Sequence, residues 1–237
     1  MKAVQGAPED PQVLVQAAEA QLGSGAFKEA LALSRRALEV TAGHAHARLV
    51  RALARYRLGD LAGSHEDLLG LLSAGHDGLL IRRTLVTIAS RLRDGESEVQ
   101  HLEAALAIDP QQIPMYKALI ARLDALNRPA EAYEWRERAA RVDQGNPKLV
   151  SELLAGAQTH GASPEKIRRW GEMGLHIAPF DADLQTRFAQ ELVRIGDKKR
   201  AAEVVGVALA AARACRCGQS GKCGSAITGM GLRWARA

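Results

Sequence analysis

The chain has 237 residues, 47% hydrophobic but only 4% aromatic, so its core must come from Ala, Leu, Val and Ile, a palette suited to helix packing rather than to strands. No stretch approaches the roughly 18 uninterrupted apolar residues of a membrane span, and MKAVQGAPEDPQ lacks the apolar segment of a secretory leader, so a cytoplasmic chain without membrane insertion is expected. Five of the 32 basic residues lie from Arg213 onward with no acid among them, leaving a neutral body of 27 basic against 27 acidic residues and arguing against a nucleic-acid partner for that body.

After a lead at residues 1–10, helical patterning starts at PQVLVQAAEAQLGSGAFKEALALSRRALEVTAGH (11–44), with a break at Gly25. The next break, Gly59, follows 34 residues later, Asn127 lies 68 further on, Gly161 another 34, and Gly196 comes 35 after that, which implies a one-residue insertion. Gly and Asn are the residues that turn a chain between two helices. Each of three alanine pairs (Ala30 and Ala37, Ala132 and Ala139, Ala201 and Ala208) starts five residues after its marker, with a spacing that places both members on one helix face. Pro110 closes one unit at Ile-Asp-Pro and Pro179 another at Ile-Ala-Pro, and all eight prolines fall at proposed caps or turns. In chain order the units are 11–44, 45–78, 79–112, 113–146, 147–181 and 182–213. The second places Ser64 and Leu71 at the small positions, the third Glu98, and the fifth has Gly174 as its small residue and holds the insertion.

A 34-residue helix–turn–helix unit with "EA" opening its second helix, a small residue seven later and "DP" at its end resembles the tetratricopeptide repeat. The resemblance covers roughly 200 residues as about six copies. It implies an all-α, right-handed α-solenoid over residues 11–213 and a non-enzymatic scaffold or adaptor, without cofactor, that binds an extended segment of another protein in a concave groove. Carried over position by position, the groove would be lined by His46, Tyr56, Arg57, Arg83, Thr87, Arg91, Lys117, Lys148, Gln190 and Arg194. Arginines on such a wall suit an acidic segment or a terminal carboxylate, because a guanidinium forks onto carboxylate oxygens; the plainer reading is that these are solvated helix faces. Some members of the family clamp a chaperone's terminal carboxylate with Lys and Asn residues. Here the corresponding positions read Arg83, Thr87, Ala118, Lys148 and Glu152, and that clamp is not expected. Pentatricopeptide RNA binders have a similar period, but the neutral body lacks their basic surface. Arrays like this one also resemble those that accompany bacterial glycosyltransferases and polysaccharide assembly or export systems, which makes an accessory role the alternative function.

Trp135 and Trp170 fall at matching positions of successive second helices, where they form either an outer-face contact for a partner or a second copy, or space-filling beside Ala139 and Gly174. The seven histidines show neither HExxH nor a Cys–His set with zinc spacing, and there is no P-loop, GxGxxG or GxSxG, so neither a catalytic nor a metal site is expected. Residues 214–237 are a Gly-rich basic tail holding Cys215, Cys217 and Cys223. It is read as irregular, with Trp234 as the anchor of a basic contact arm or the whole as an anomalous terminus.

Overall fold

The computed structural model describes residues 10–217; the lead up to residue 9 and residues 218–237, with Cys223 and Trp234, lie outside the described residues. All the secondary structure among the described residues is helical. It comprises α1 (Pro11–Gly23), α2 (Phe27–Val40), α3 (Ala45–Leu58), α4 (Leu61–Ser73), α5 (Leu79–Leu92), α6 (Gly95–Ile108), α7 (Ile113–Ala125), α8 (Pro129–Val142), α9 (Pro147–Gly156), α10 (Pro164–Ile177), α11 (Ala182–Arg194) and α12 (Lys198–Cys217). The odd helices start 34 residues apart from Pro11 to Pro147 and then 35 apart at Ala182, and the even helices make their 35-residue step between Pro129 and Pro164. The extra residue therefore lies between the starts of α9 and α10, where the short α9 gives way to turns. α12 runs through Cys217, so residues 214–217, expected to be irregular, are helical.

Local chemistry explains the boundaries. Side chains of Asp10, His44, Asp60, Asp94, Asn146, Ser163 and Asp181 accept hydrogen bonds from first-turn amides of the helices they precede, which satisfies donors the helix itself leaves open. Proline occupies the start of α1, α8, α9 and α10, where its missing N–H costs nothing. Gly25, Gly59, Asn127, Gly161 and Gly196 all have left-handed backbone, as their period predicts. So does Arg93, with φ of 59°, midway between Gly59 and Asn127. The third turn marker is present in the backbone although the residue there is not one that favours it.

The chain divides into two compact units, residues up to Arg122 and residues from Leu123 onward. In the first, Ala30, Ala37 and Ala52 are fully buried, and Leu68, Leu71, Ile81, Leu85 and Ile88 close a core around Ala52. Two departures from the small-residue pattern become intelligible here. Ser64 is buried and donates to the Ala52 carbonyl at 2.8 Å; Glu98 is buried and meets Arg122 at 2.6 Å. Between α3 and α4, the buried carboxylate of Asp67 accepts from Arg51 Nε at 2.9 Å and from Arg55 at 2.8 Å, with Arg51 closing a second contact.

In the second unit the helices meet through glycines and rings. A Cβ placed on Gly171 of α10 would lie 2.0 Å from Phe188 of α11, and one on Gly174 would lie 2.6 Å from Leu184. The Tyr133 hydroxyl of α8 donates to the Leu153 carbonyl of α9 at 2.9 Å, its ring stacks on His160 at 4.3 Å, and burial pushes its ionisation above the usual phenol range.

Candidate partner-binding surface

In the first unit, the sequence candidates come from α3, α5 and α7. His46 is exposed on α3, its Nε2 2.6 Å from Glu19 Oε1 of α1. Tyr56 is half-buried against the core of α4 and α5. Arg83, Thr87 and Arg91 stand four residues apart on α5, all exposed, and so form one ridge. Lys117 is exposed on α7.

Two of these arginines are held by aromatic rings. The Arg91 guanidinium carbon lies 5.0 Å from the centre of the Tyr56 ring, and that of Arg57 lies 4.6 Å from the centre of the Phe27 ring on α2. Such contacts contribute about 0.5–1 kcal/mol each at exposed sites. Their geometry matters more, because all five N–H donors of a guanidinium lie in its plane, so stacking one face on a ring restrains the group and leaves the donor edge free. Arg57 and Arg91 hold the same place in successive first helices, the thirteenth residue of α3 and of α5. Phe27 escaped the sequence reading, since no periodic rule links the start of one second helix to the end of the next first helix.

The second unit supplies Lys148 on α9 and Gln190 and Arg194 on α11, all exposed. Its cations are largely engaged by neighbouring acids. Arg194 meets Glu191 at 2.7 Å. Asp183 accepts from Arg187 Nε and from Ser151 Oγ, each at 2.9 Å, and Arg187 with Ser151 holds its carboxyl below the usual carboxylate range. Arg136 reaches both Asp124 and Glu152.

Trp135 and Trp170 are each the seventh residue of their helices, but they do not form an outer-face pair. Trp170 is 6% exposed and sits edge-on to Tyr133 of α8, ring centres 6.1 Å apart. Trp135 is half-buried with Arg138 over its ring at 4.3 Å.

No protein-family model and no curated protein sequence matches the chain. Solved structures do. The crystal structure of YrrB, described as a tetratricopeptide-repeat protein with an unusual peptide-binding site, matches with a TM-score of 0.56 at 17% identity, over 77% of this chain and 93% of that one. The chain has the tetratricopeptide-repeat fold. MamA shares this tetratricopeptide-repeat geometry with a TM-score of 0.53 at 13% identity, over 73% of this chain and 93% of its own. Among the described residues, no helix is long and apolar enough to cross a membrane.

Proposed function

We propose that this tetratricopeptide-repeat chain is a non-catalytic interaction scaffold, and that the α3–α5 face of its first unit holds an extended acidic segment of a partner protein. The observation that carries the reading is the pair of ring-stacked arginines, Arg57 on Phe27 and Arg91 on Tyr56, with Arg83 along the same ridge as Arg91. Restrained guanidinium edges lose little freedom on meeting carboxylates and can bind them through paired hydrogen bonds. The peptide-binding site in YrrB supports this reading by showing the same fold in such use. The second unit contributes less, because Arg194 and Arg187 already have carboxylate partners.

The test is fluorescence anisotropy with a labelled Glu/Asp-rich peptide against the whole chain and against Arg57→Glu/Arg83→Glu/Arg91→Glu, with helicity checked by circular dichroism. Binding should weaken with salt and fall by about tenfold or more in the triple variant. A still-helical variant that binds as the parent does would remove the first-unit face from the assignment.

A further inference from the structure

Within the second unit, α8 and α10 bring like charges to one place. Glu137 and Arg141 stand four residues apart on α8, and Lys166, Arg169, Trp170 and Met173 recur at helical spacing on α10, so each set shares one helix face. Together they line a pocket of about 50 Å³. That space takes roughly three to five waters, or one compact anion in their place.

The charges do not cancel. Lys166 Nζ donates to both carboxylate oxygens of Glu137, at 2.8 and 2.9 Å, which occupies two of its three protons and neutralises the acid. Arg141 and Arg169 are left over, both exposed. Every other arginine among the described side chains of the second unit meets a carboxylate or lies over a ring. The two that do neither line the same pocket. Their pairing is not a by-product of the repeat. Arg141 is the thirteenth residue of its helix and Arg169 the sixth of the next second helix. The same positions hold Glu39 and Glu66 in α2 and α4, Ser73 and Gln100 in α4 and α6, and His176 and Glu203 in α10 and α12.

We infer that this pocket is a phosphate site, taking a phosphate monoester group on Arg141 and Arg169 with the remaining proton of Lys166. Three cations against one carboxylate leave two positive charges. A monoester brings about −1.5 to −2 at pH 7 and three acceptor oxygens, whereas a carboxylate or a phosphodiester brings a single charge and leaves one guanidinium uncompensated. Guanidiniums bind phosphate through paired N–H donors. Trp170, 6% exposed, and Met173 give the pocket an apolar wall, beside which charge pairing is stronger than in open water. The group is either free inorganic phosphate or a phosphorylated side chain of a partner protein, and the site's chemistry is the same for both. This site shares no residue with the α3–α5 face and stands independently of it.

The probe is inorganic phosphate, titrated into the isotope-labelled full chain at about pH 7.5, where the dianion predominates, with ionic strength held constant by sodium chloride. Nuclear magnetic resonance follows the Trp170 indole N–H and the Nε–H groups of Arg141 and Arg169. The expected result is a saturable shift of these signals, with affinity lower by about tenfold or more in Arg141→Gln/Arg169→Gln. Acetate and dimethyl phosphate, each singly charged, should bind the parent chain about tenfold or more weakly than phosphate. Both arginines are exposed, so the variant should keep the fold, and Arg35→Gln/Arg93→Gln, which removes two exposed charges elsewhere, should bind as the parent does. A phosphoserine peptide that binds more tightly than inorganic phosphate, with its unphosphorylated twin silent, places the group on a partner; a peptide that binds more weakly assigns the site to free phosphate. Three results would overturn the inference. Absence of a saturable shift means the pocket holds water and screening ions alone. Equal affinity in the parent chain and Arg141→Gln/Arg169→Gln, or an equal loss in Arg35→Gln/Arg93→Gln, means the response is to overall charge. Acetate or dimethyl phosphate binding as tightly as phosphate means the site takes a single charge and not a monoester.

Discussion

The two units close the same kind of helix-on-helix seam with opposite chemistry. In the first, charge enters the interior: Asp67 sits between Arg51 and Arg55, and Glu98 meets Arg122. In the second, the seams are dry, with Phe188 and Leu184 seated against Gly171 and Gly174 and Trp170 edge-on to Tyr133. A repeat fixes the backbone path and the need for close approach, and leaves the filling of each seam open to ion pairs in one unit and to rings on glycine in the other. The units should therefore respond to different perturbations.

The largest effect is expected in the charged seam. The Asp67 side chain is 4% exposed, and removing it leaves two guanidiniums facing each other across a buried gap. Asp67→Ala should destabilise the first unit by about 3–5 kcal/mol in urea unfolding. Replacing the whole cluster, Arg51→Met with Arg55→Met and Asp67→Leu, should come much closer to neutral, since the desolvation of all three ions goes with it. If the triple variant is as unstable as Asp67→Ala alone, the seam depends on its ions rather than merely tolerating them, and the contrast with the second unit deepens.

The dry seam should fail through volume. Gly171→Ala drives a methyl group into the Phe188 ring and is expected to cost about 1–3 kcal/mol. Gly70 in α4 of the first unit is the control. A Cβ there would meet only the end of the flexible Arg48 side chain at 3.2 Å, so Gly70→Ala should be neutral or stabilising by up to about 1 kcal/mol through helix propensity. Equal losses at both glycines, measured by thermal unfolding, would erase the distinction between the seams.

Acid should also separate the units. His101, buried in α6, has its imidazole pKa lowered, chiefly by burial and then by Arg82 and His65, while Asp77 and Asp94 pull the other way. A depressed folded pKa means the unfolded chain takes up the proton first. The stability His101 contributes is thus complete above about pH 6.5 and is lost as pH falls from there toward the folded value. The slope is at most about 1.4 kcal/mol per pH unit for one proton. His101→Gln should flatten melting temperature against pH between about 7.5 and 5.5; an unchanged slope would assign the acid sensitivity to other groups.

The fold was legible because turn geometry, capping and small-residue spacing are local and recur with the period. Five markers and three alanine pairs carry it, and the caps that Asp60, Asn146 and Asp181 supply are equally local. The candidate surface was legible only as positions. That Arg57, Arg83 and Arg91 face solvent follows from helix periodicity, but Phe27 beneath Arg57 is set by packing between two repeats, which no spacing rule encodes. Trp135 and Trp170 do fall at matching helix positions, but position alone could not choose between an outer-face contact and space-filling, and Trp170 is buried. Equal helix positions do not give equal environments: Trp170 is buried edge-on to Tyr133, whereas Trp135 is half-buried under Arg138.

The smallest effect tests the period itself. Arg93 and Asn127 occupy equivalent left-handed turns, one in each unit, at φ of 59° and 56°. A residue with a full side chain is disfavoured there by about 1–2 kcal/mol, whereas Asn eases the strain through its short polar group. Glycine relieves the strain but adds freedom to the unfolded chain, worth about 0.4–1 kcal/mol in the other direction. Arg93→Gly should therefore stabilise the first unit by roughly 0.5 kcal/mol, and Asn127→Gly should change the second very little. Arg93 is exposed, so the gain is not masked by lost packing. Calorimetry that finds the larger gain at Asn127 would mean that Arg93 is stabilised in its turn by something other than backbone preference, and that the third unit keeps the period for a reason its neighbours do not share.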